Sequence, residues 1–128
     1  LGKFCGLNNI PFHTSLSLNQ KIAYFQDAKA VVLPFLPSGE AWSLIATEAM
    51  ACGTPVLTTD TGAMREIVAP GTGRLFKDVE ALAKGMRDEG FTYPACREHA
   101  VKNFDRMVNA RRLLDICRRL IDAGGGGT

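Results

Sequence analysis

The hydrophobic positions of the chain form short apolar runs separated by longer amphipathic segments. The runs AVVLPF at 30–35 and PVLTT at 55–59 are rich in β-branched residues, which is typical of strands in a parallel sheet, and we expect the first to be buried on both faces. Shorter strands are predicted at 74–76, after a PGTG turn, and at 3–5, just before Gly6. Strands that alternate with helices predict an α/β fold, a Rossmann-like parallel sheet flanked by helices.

Polar caps and apolar periodicity place the helices between these strands. Asn19, Ser43 and Asp78 each precede a helical pattern and can accept a hydrogen bond from a first-turn amide. Gly53 follows the second of these helices and suits its C-terminal end. The predicted helices cover 19–28, 43–52, 63–68, 78–86, a segment that ends near 104, and 106–121.

Composition excludes several classes of protein. The 128 residues fit one domain, and a formal net charge of +2 gives no reason to expect nucleic acid as a partner. No apolar run approaches the roughly 20 residues of a membrane-spanning helix. The four cysteines are far apart and form no C-x-x-C pair, so we expect neither a disulfide framework nor a metal site, and a reducing cytoplasm as the location. They are Cys5, Cys52, Cys96 and Cys117.

The candidate site lies where the 30–35 strand leads into the helix that begins near Ser43. Ligands of open parallel sheets bind at the carboxyl ends of the strands, and helix N-termini attract phosphate. Glu40 and Glu48 flank this N-terminus. Carboxylates repel phosphate but accept hydrogen bonds from paired hydroxyls, so the pattern fits a ligand with sugars on both sides of a diphosphate. Alternatively, Glu40 is an exposed loop residue and Glu48 lies on a solvent stripe with Thr47.

The segment SGEAWSLIATEAMACGTPVL, followed by TTDTGAMREIV and GTGRLF, resembles the E-x7-E region of family 4 (group 1) retaining glycosyltransferases. These enzymes have the two-domain GT-B fold, and the resemblance covers about 40 residues in order and spacing. It implies that residues 1–123 are part of the C-terminal, donor-binding domain. Residues 124–128 are expected to be a flexible glycine-rich tail.

The resemblance also implies a role for each matching residue. The donor would be a nucleotide diphosphate sugar bound without a metal, and a hexose would be transferred with retention. Glu40 would contact hydroxyls of the donor sugar at the catalytic centre, and Glu48 would hold the ribose hydroxyls. The diphosphate would lie on backbone amides near Trp42, Ser43 and Leu44, and the small-residue turn near the donor would be formed by Gly62 and Ala63.

Two departures from the family pattern bear on activity. Ser43 stands where the family usually has glycine, and its side chain would either cap the helix or crowd the phosphates. The family's arginine and lysine, which neutralise the diphosphate, and its acceptor domain would precede Leu1. We therefore expect this chain to be inactive by itself.

Three further expectations concern partners and alternatives. The basic stripe of the last helix could contact a missing domain or, peripherally, an anionic membrane surface. An uncovered sheet edge could pair with a second copy of the chain. A nucleotide-sugar 2-epimerase-like GT-B domain and a non-catalytic binding or oligomerisation module remain the alternative functions.

Overall fold

The computed structural model describes residues 6, 8–36, 41–86 and 93–124. Within them the chain forms an α/β layer structure whose three strands pair in parallel in the order β1-β2-β3. This confirms the predicted α/β fold with a Rossmann-like parallel sheet. The predicted strand at 3–5 lies outside the described residues. In chain order the elements are α1 (Leu18–Asp27), β1 (Val31–Leu33), α2 (Leu44–Ala51), β2 (Val56–Thr59), α3 (Met64–Ile67), β3 (Gly73–Phe76), α4 (Val79–Gly85), α5 (Tyr93–Phe104) and α6 (Arg106–Gly124).

Local signals placed most helix starts correctly. Ser43 caps α2 and Asp78 caps α4, each through a side-chain oxygen that accepts a hydrogen bond from an amide of the first turn. Gly53 follows α2 with φ +91°, a left-handed conformation that glycine adopts without the steric penalty of a side chain. The caps at both ends of α2 are therefore as predicted.

The predicted cap of the first helix was wrong. Ser17, not Asn19, caps α1, and Gln20 completes a capping box. The Ser17 hydroxyl accepts from the Gln20 amide, and the Gln20 side-chain oxygen accepts from the Ser17 amide at 3.0 Å. Two backbone donors at the helix start are satisfied reciprocally in this arrangement, which explains why the cap lies two residues before the predicted one.

The core has two parts, one on each face of the sheet. The larger part joins α2, β2, α3 and α5, and the smaller part packs Leu57 and Phe76 against Leu82 of α4. Alternation along β2 directs Val56 to the larger core and Leu57 to the smaller one. The larger core consists of Ala46, Ala49, Met50, Val56, Met64, Ile67, Val68, Cys96 and Ala100.

The expectation that the first strand is buried on both faces was wrong for the described chain. β1 lies at an edge of the sheet, and Val32 is 40% exposed. The closing helix α6 has no buried residue and runs three residues further than predicted, to Gly124. Its apolar residues are exposed, among them Leu113, Leu114, Ile116, Leu120 and Ile121. Residues 125–128 lie outside the described part of the chain.

Candidate functional site

The carboxyl ends of β1 and β2 are fixed to each other by two buried threonines. The Thr58 hydroxyl donates to the carbonyl of Leu33 at 2.8 Å, and the Thr59 hydroxyl donates to the carbonyl of Phe35 at 2.7 Å. These bonds extend the contact between the strands past the last residue of β1. The segment that leaves β1 toward α2 therefore starts from a defined position.

Ser43 forms the N-terminus of α2 and is buried, with 2% of its surface exposed. Its hydroxyl oxygen accepts from the amide of Ala46 at 3.3 Å. The side chain is thus turned along its own helix, and this favours the cap over the alternative that Ser43 crowds a ligand. The amides of Leu44 and Ile45 belong to the first turn, where the helix offers no acceptor for them, so they can donate to an anion.

The small-residue turn at 62–63 lies next to the segment that enters α2. The amide of Ala63 donates to the carbonyl of Ala41 at 3.2 Å, and Gly62 has φ +54°. The structure therefore brings the predicted turn against the predicted phosphate-binding segment, although they are about 20 residues apart in sequence. Gly62 is exposed and Ala63 half-buried.

Trp42 packs edge-to-face on Phe104 of α5, with ring centroids 5.6 Å apart. Trp42 is 41% exposed and borders an open cavity of about 440 Å³ between the entry to α2 and helices α3, α5 and α6. The contact fixes the residue that precedes Ser43 against the last part of α5. The other lining residues are Glu66, His99, Asn103, Asn109 and Arg112.

Glu48 lies on the side of α2 opposite its buried residues, and its side chain is 41% exposed. The Nζ of Lys21, on α1, lies 2.9 Å from Oε1 and 2.8 Å from Oε2 of Glu48. Glu48 is thus partly exposed, as the solvent-stripe alternative expects, and it is paired with a lysine. Sequence reasoning missed Lys21, because it is 27 residues from Glu48 and no motif links the two helices.

Glu40, the predicted catalytic residue, lies outside the described residues, so its predicted contact with donor hydroxyls stays a prediction. The other predicted binding residues fall into two groups. Ser43 and Leu44 at the helix start adjoin Ala63 through Ala41. Glu48 lies one turn further along α2, about 6 Å from Leu44 along the helix axis at 1.5 Å per residue.

A second charged pair lies just beyond β2. Arg65 donates to both carboxylate oxygens of Asp60, with Nε 2.6 Å from Oδ1. This hydrogen bonding lowers the pKa of the Asp60 carboxyl below its ordinary value of 3.8. Thr61, next in the chain, has a buried hydroxyl with no hydrogen-bond partner among the described residues, and it lines a cavity of about 340 Å³ at the carboxyl edge of the sheet.

The described residues contain no group of three or more histidine, cysteine or acidic side chains placed to hold a metal ion. Nor is any helix in the described ranges both long and apolar enough to cross a membrane. Fold and site together define an α/β domain that can receive an anionic ligand at the carboxyl edge of a parallel sheet, beside the start of α2.

Comparison with known proteins then identifies the family. The family model described as "Glycosyl transferases group 1" matches residues 3–88, about two thirds of the chain. The chain belongs to this family. All of α5 and α6 follow the matched segment.

Curated relatives agree with the family assignment. The chain is 32% identical over 74 residues to a D-inositol 3-phosphate glycosyltransferase of Paenarthrobacter aurescens, which covers 57% of the chain and 18% of the relative. A Frankia alni protein of the same name is 42% identical over 52 residues, 41% of the chain and 12% of the relative. An Arthrobacter protein of that name is 32% identical over 69 residues, which cover 54% of the chain and 16% of the relative. The matched segment thus spans less than a fifth of each relative.

Proposed function

We propose that this chain is the donor-binding part of a retaining glycosyltransferase that takes a hexose from a nucleotide diphosphate sugar. The observation that carries the proposal is the junction at the start of α2. There, first-turn amides, the Gly62–Ala63 turn and the carboxylate of Glu48 lie on adjoining segments. This arrangement suits a ligand that combines phosphates with a vicinal diol.

Each part of the donor has a proposed contact. The amides at the start of α2 attract the diphosphate, since they present the positive end of the helix dipole. Glu48 accepts from the ribose hydroxyls, and Glu40 accepts from hydroxyls of the transferred sugar. The nucleotide is then bound at three points along the loop and the first turns of one helix.

The chemistry assigned to this half of the enzyme is electrostatic and positional. When the bond between sugar and diphosphate breaks, negative charge develops on the leaving phosphate. Preorganised amides at a helix N-terminus stabilise such charge, and a fixed donor orientation raises the rate further. We assign no side-chain nucleophile in residues 41–68.

The acceptor would bind to a domain outside this chain, so the chain by itself would be inactive. The acceptor class is a saccharide, a lipid or a small molecule. The matched relatives are named D-inositol 3-phosphate glycosyltransferase, and this name favours a phosphorylated polyol among the small-molecule acceptors. We propose that the reaction takes place in the cytoplasm.

Calorimetric titration of the chain with UDP-, GDP- and ADP-sugars tests the proposal. One nucleotide class should bind, and Glu48→Gln should weaken that binding by about tenfold or more, since hydrogen bonds to charged groups contribute about 1.5–3 kcal/mol. Glu80→Gln is the matched control, because Glu80 is an exposed glutamate paired with Lys84 on α4. If no donor binds at millimolar concentration, the proposal is wrong.

A non-catalytic module is the second candidate, and the edge position of β1 among the described strands favours it. An unpaired strand edge is a site for pairing with another chain. Sedimentation at rising protein concentration separates the two candidates. Self-association together with an absence of donor binding supports the module, whereas a monomer that binds a nucleotide sugar supports the donor domain.

A further inference from the structure

The contact between Lys21 and Glu48 differs from the other ion pairs of the described chain. The two residues are 27 positions apart and join α1 to α2. The remaining pairs within 4 Å that are formed between described residues and given below link positions no more than five apart. They are Asp60–Arg65, Lys77–Asp78, Glu80–Lys84 and Asp115–Arg118. The contact between Lys21 and Glu48 thus depends on the tertiary fold.

Helix α1 is held in place on both sides of Lys21. Four residues before it, Ser17 caps the helix. The carbonyl oxygen of Ser17 accepts a hydrogen bond from the Lys21 amide at 2.9 Å. Four residues after it, Phe25 packs against the larger core, and its carbonyl accepts from the hydroxyl of Thr54, just past α2. Lys21 therefore projects from a fixed turn of α1 toward Glu48.

The stoichiometry of the contact leaves room for a second partner. A lysine ammonium has three donors, and two of them reach the two oxygens of Glu48. A carboxylate has about four acceptor sites, two on each oxygen. With Lys21 in place, each oxygen of Glu48 keeps one acceptor site, on the side away from the lysine. A hydroxyl of a bound sugar can use one of these sites.

We propose that Lys21 is a positioning residue for ribose recognition, which holds the carboxylate of Glu48 so that one of its oxygens accepts from the 2′ hydroxyl of the nucleotide. This inference rests on the proposed function and adds to it a residue outside the E-x7-E segment. Without Lys21, the Glu48 side chain would rotate about its three side-chain bonds, and ordering it would oppose binding. An ion pair that merely joins two helices would have no such effect on the choice between ribose and deoxyribose.

The test compares nucleoside diphosphates with their 2′-deoxy counterparts. UDP, GDP and ADP are titrated into the chain, and the tightest binder is then compared with its 2′-deoxy form. The variants are Lys21→Met, Lys21→Arg, Glu48→Gln and the double variant Lys21→Met/Glu48→Gln. Lys84→Met is the matched control, because it also removes a paired lysine from a helix surface. Circular dichroism establishes that every variant is folded.

We expect the wild-type chain to prefer the ribonucleotide by about tenfold, the loss that accompanies one hydrogen bond to a charged group. Lys21→Met should reduce this preference to about twofold or less, Lys21→Arg should restore part of it, and Lys84→Met should leave it unchanged. In Glu48→Gln the preference is already small, so adding Lys21→Met should have no further effect.

Two results would overturn the inference and leave the proposed function intact. In the first, Lys21→Met binds nucleotide with an unchanged preference for ribose, which makes the pair structural only. In the second, Lys21→Met binds the ribonucleotide more tightly, which makes Lys21 a competitor of the ribose. If no nucleotide binds to the wild-type chain, the proposed function fails and this inference fails with it.

Discussion

Replacing Ser43 separates the two roles that a serine could have at the start of α2. The hydroxyl bond to the Ala46 amide, at 3.3 Å, is at the long end of the usual range, so by itself it is weak. However, Ser43 is almost fully buried, and loss of the acceptor would leave a poorly hydrated amide. We therefore expect Ser43→Ala to lower the free energy of unfolding by about 1 kcal/mol, the typical cost of losing a side-chain N-cap.

Ser43→Gly should cost less, because glycine is itself tolerated at an N-cap and lets water reach the amides. The expected loss is a few tenths of a kcal/mol, within about 0.5 kcal/mol of wild type. For a chain of 128 residues, 1 kcal/mol corresponds to a shift of about 4 °C in melting temperature, so the alanine and glycine variants are distinguishable. Urea unfolding followed by circular dichroism gives the same comparison at 25 °C.

Donor binding by the same variants tests the crowding alternative. If the hydroxyl is directed along its own helix, Ser43→Gly should change the dissociation constant of the nucleotide by no more than about threefold. Asp78→Ala is the control, since it removes the N-cap of α4 by breaking a 2.7 Å bond to the Ala81 amide. That control should lose stability without losing affinity. A tenfold gain of affinity in Ser43→Gly, or an unchanged stability in Ser43→Ala, would refute this account of Ser43.

Three further predictions concern the framework of the site. Gly73→Ala should lower the free energy of unfolding by about 3 kcal/mol, since its Cβ would lie 2.0 Å from the Val56 carbonyl oxygen; a wild-type urea midpoint would contradict the β2–β3 register. Met50→Ala, in the larger core, should cost about 2–5 kcal/mol by urea unfolding, and a loss below about 1 kcal/mol would contradict its burial. Arg65→Ala should raise the pKa of the Asp60 carboxyl toward its ordinary 3.8, measured by carboxyl NMR titration. Because that pKa is lowered in the folded chain, the Asp60–Arg65 pair stabilises the fold at pH values above the ordinary pKa of 3.8, which the unfolded chain has. This contribution disappears as the pH falls through the lower folded value, and an Asp60 pKa that Arg65→Ala leaves unchanged would refute it.

Features encoded by neighbouring residues were predictable from the sequence. Ser43 and Asp78 precede their helices directly, and Gly53 follows α2, so each could be assigned from its position. Ser17 was equally readable, because Gln20 three residues later completes a capping box, and Asn19 competed with it only as a residue type. Helix bounds thus depended on interactions over three or four residues.

Features that depend on tertiary contacts were not predictable in this way. The apolar composition of β1 shows that its residues suit burial, but it does not show which segment would cover Val32. Likewise, Lys21 has no local signal, because its partner lies on another helix. The adjacency of Ala41 and Ala63 could be anticipated only through the family resemblance, since an amide–carbonyl bond leaves no trace in residue type.

The charges placed by the structure bear on the proposed recognition of a nucleotide. Beside Glu48 and the 62–63 turn, the described residues include the cations Lys21 and Arg65, and each already faces a carboxylate: Lys21 faces Glu48, and Arg65 faces Asp60. A diphosphate bound here would therefore depend mainly on the amides at the start of α2, and charge interactions with a helix end contribute only about 0.3–1 kcal/mol at an exposed site. The proposed ribose contact has a carboxylate held by Lys21, with one acceptor site left on each of its oxygens. In the proposed site, recognition of the sugar hydroxyls consequently has better-defined partners than recognition of the phosphates, and for that reason the preference for ribose over deoxyribose is the sharper measure of the site.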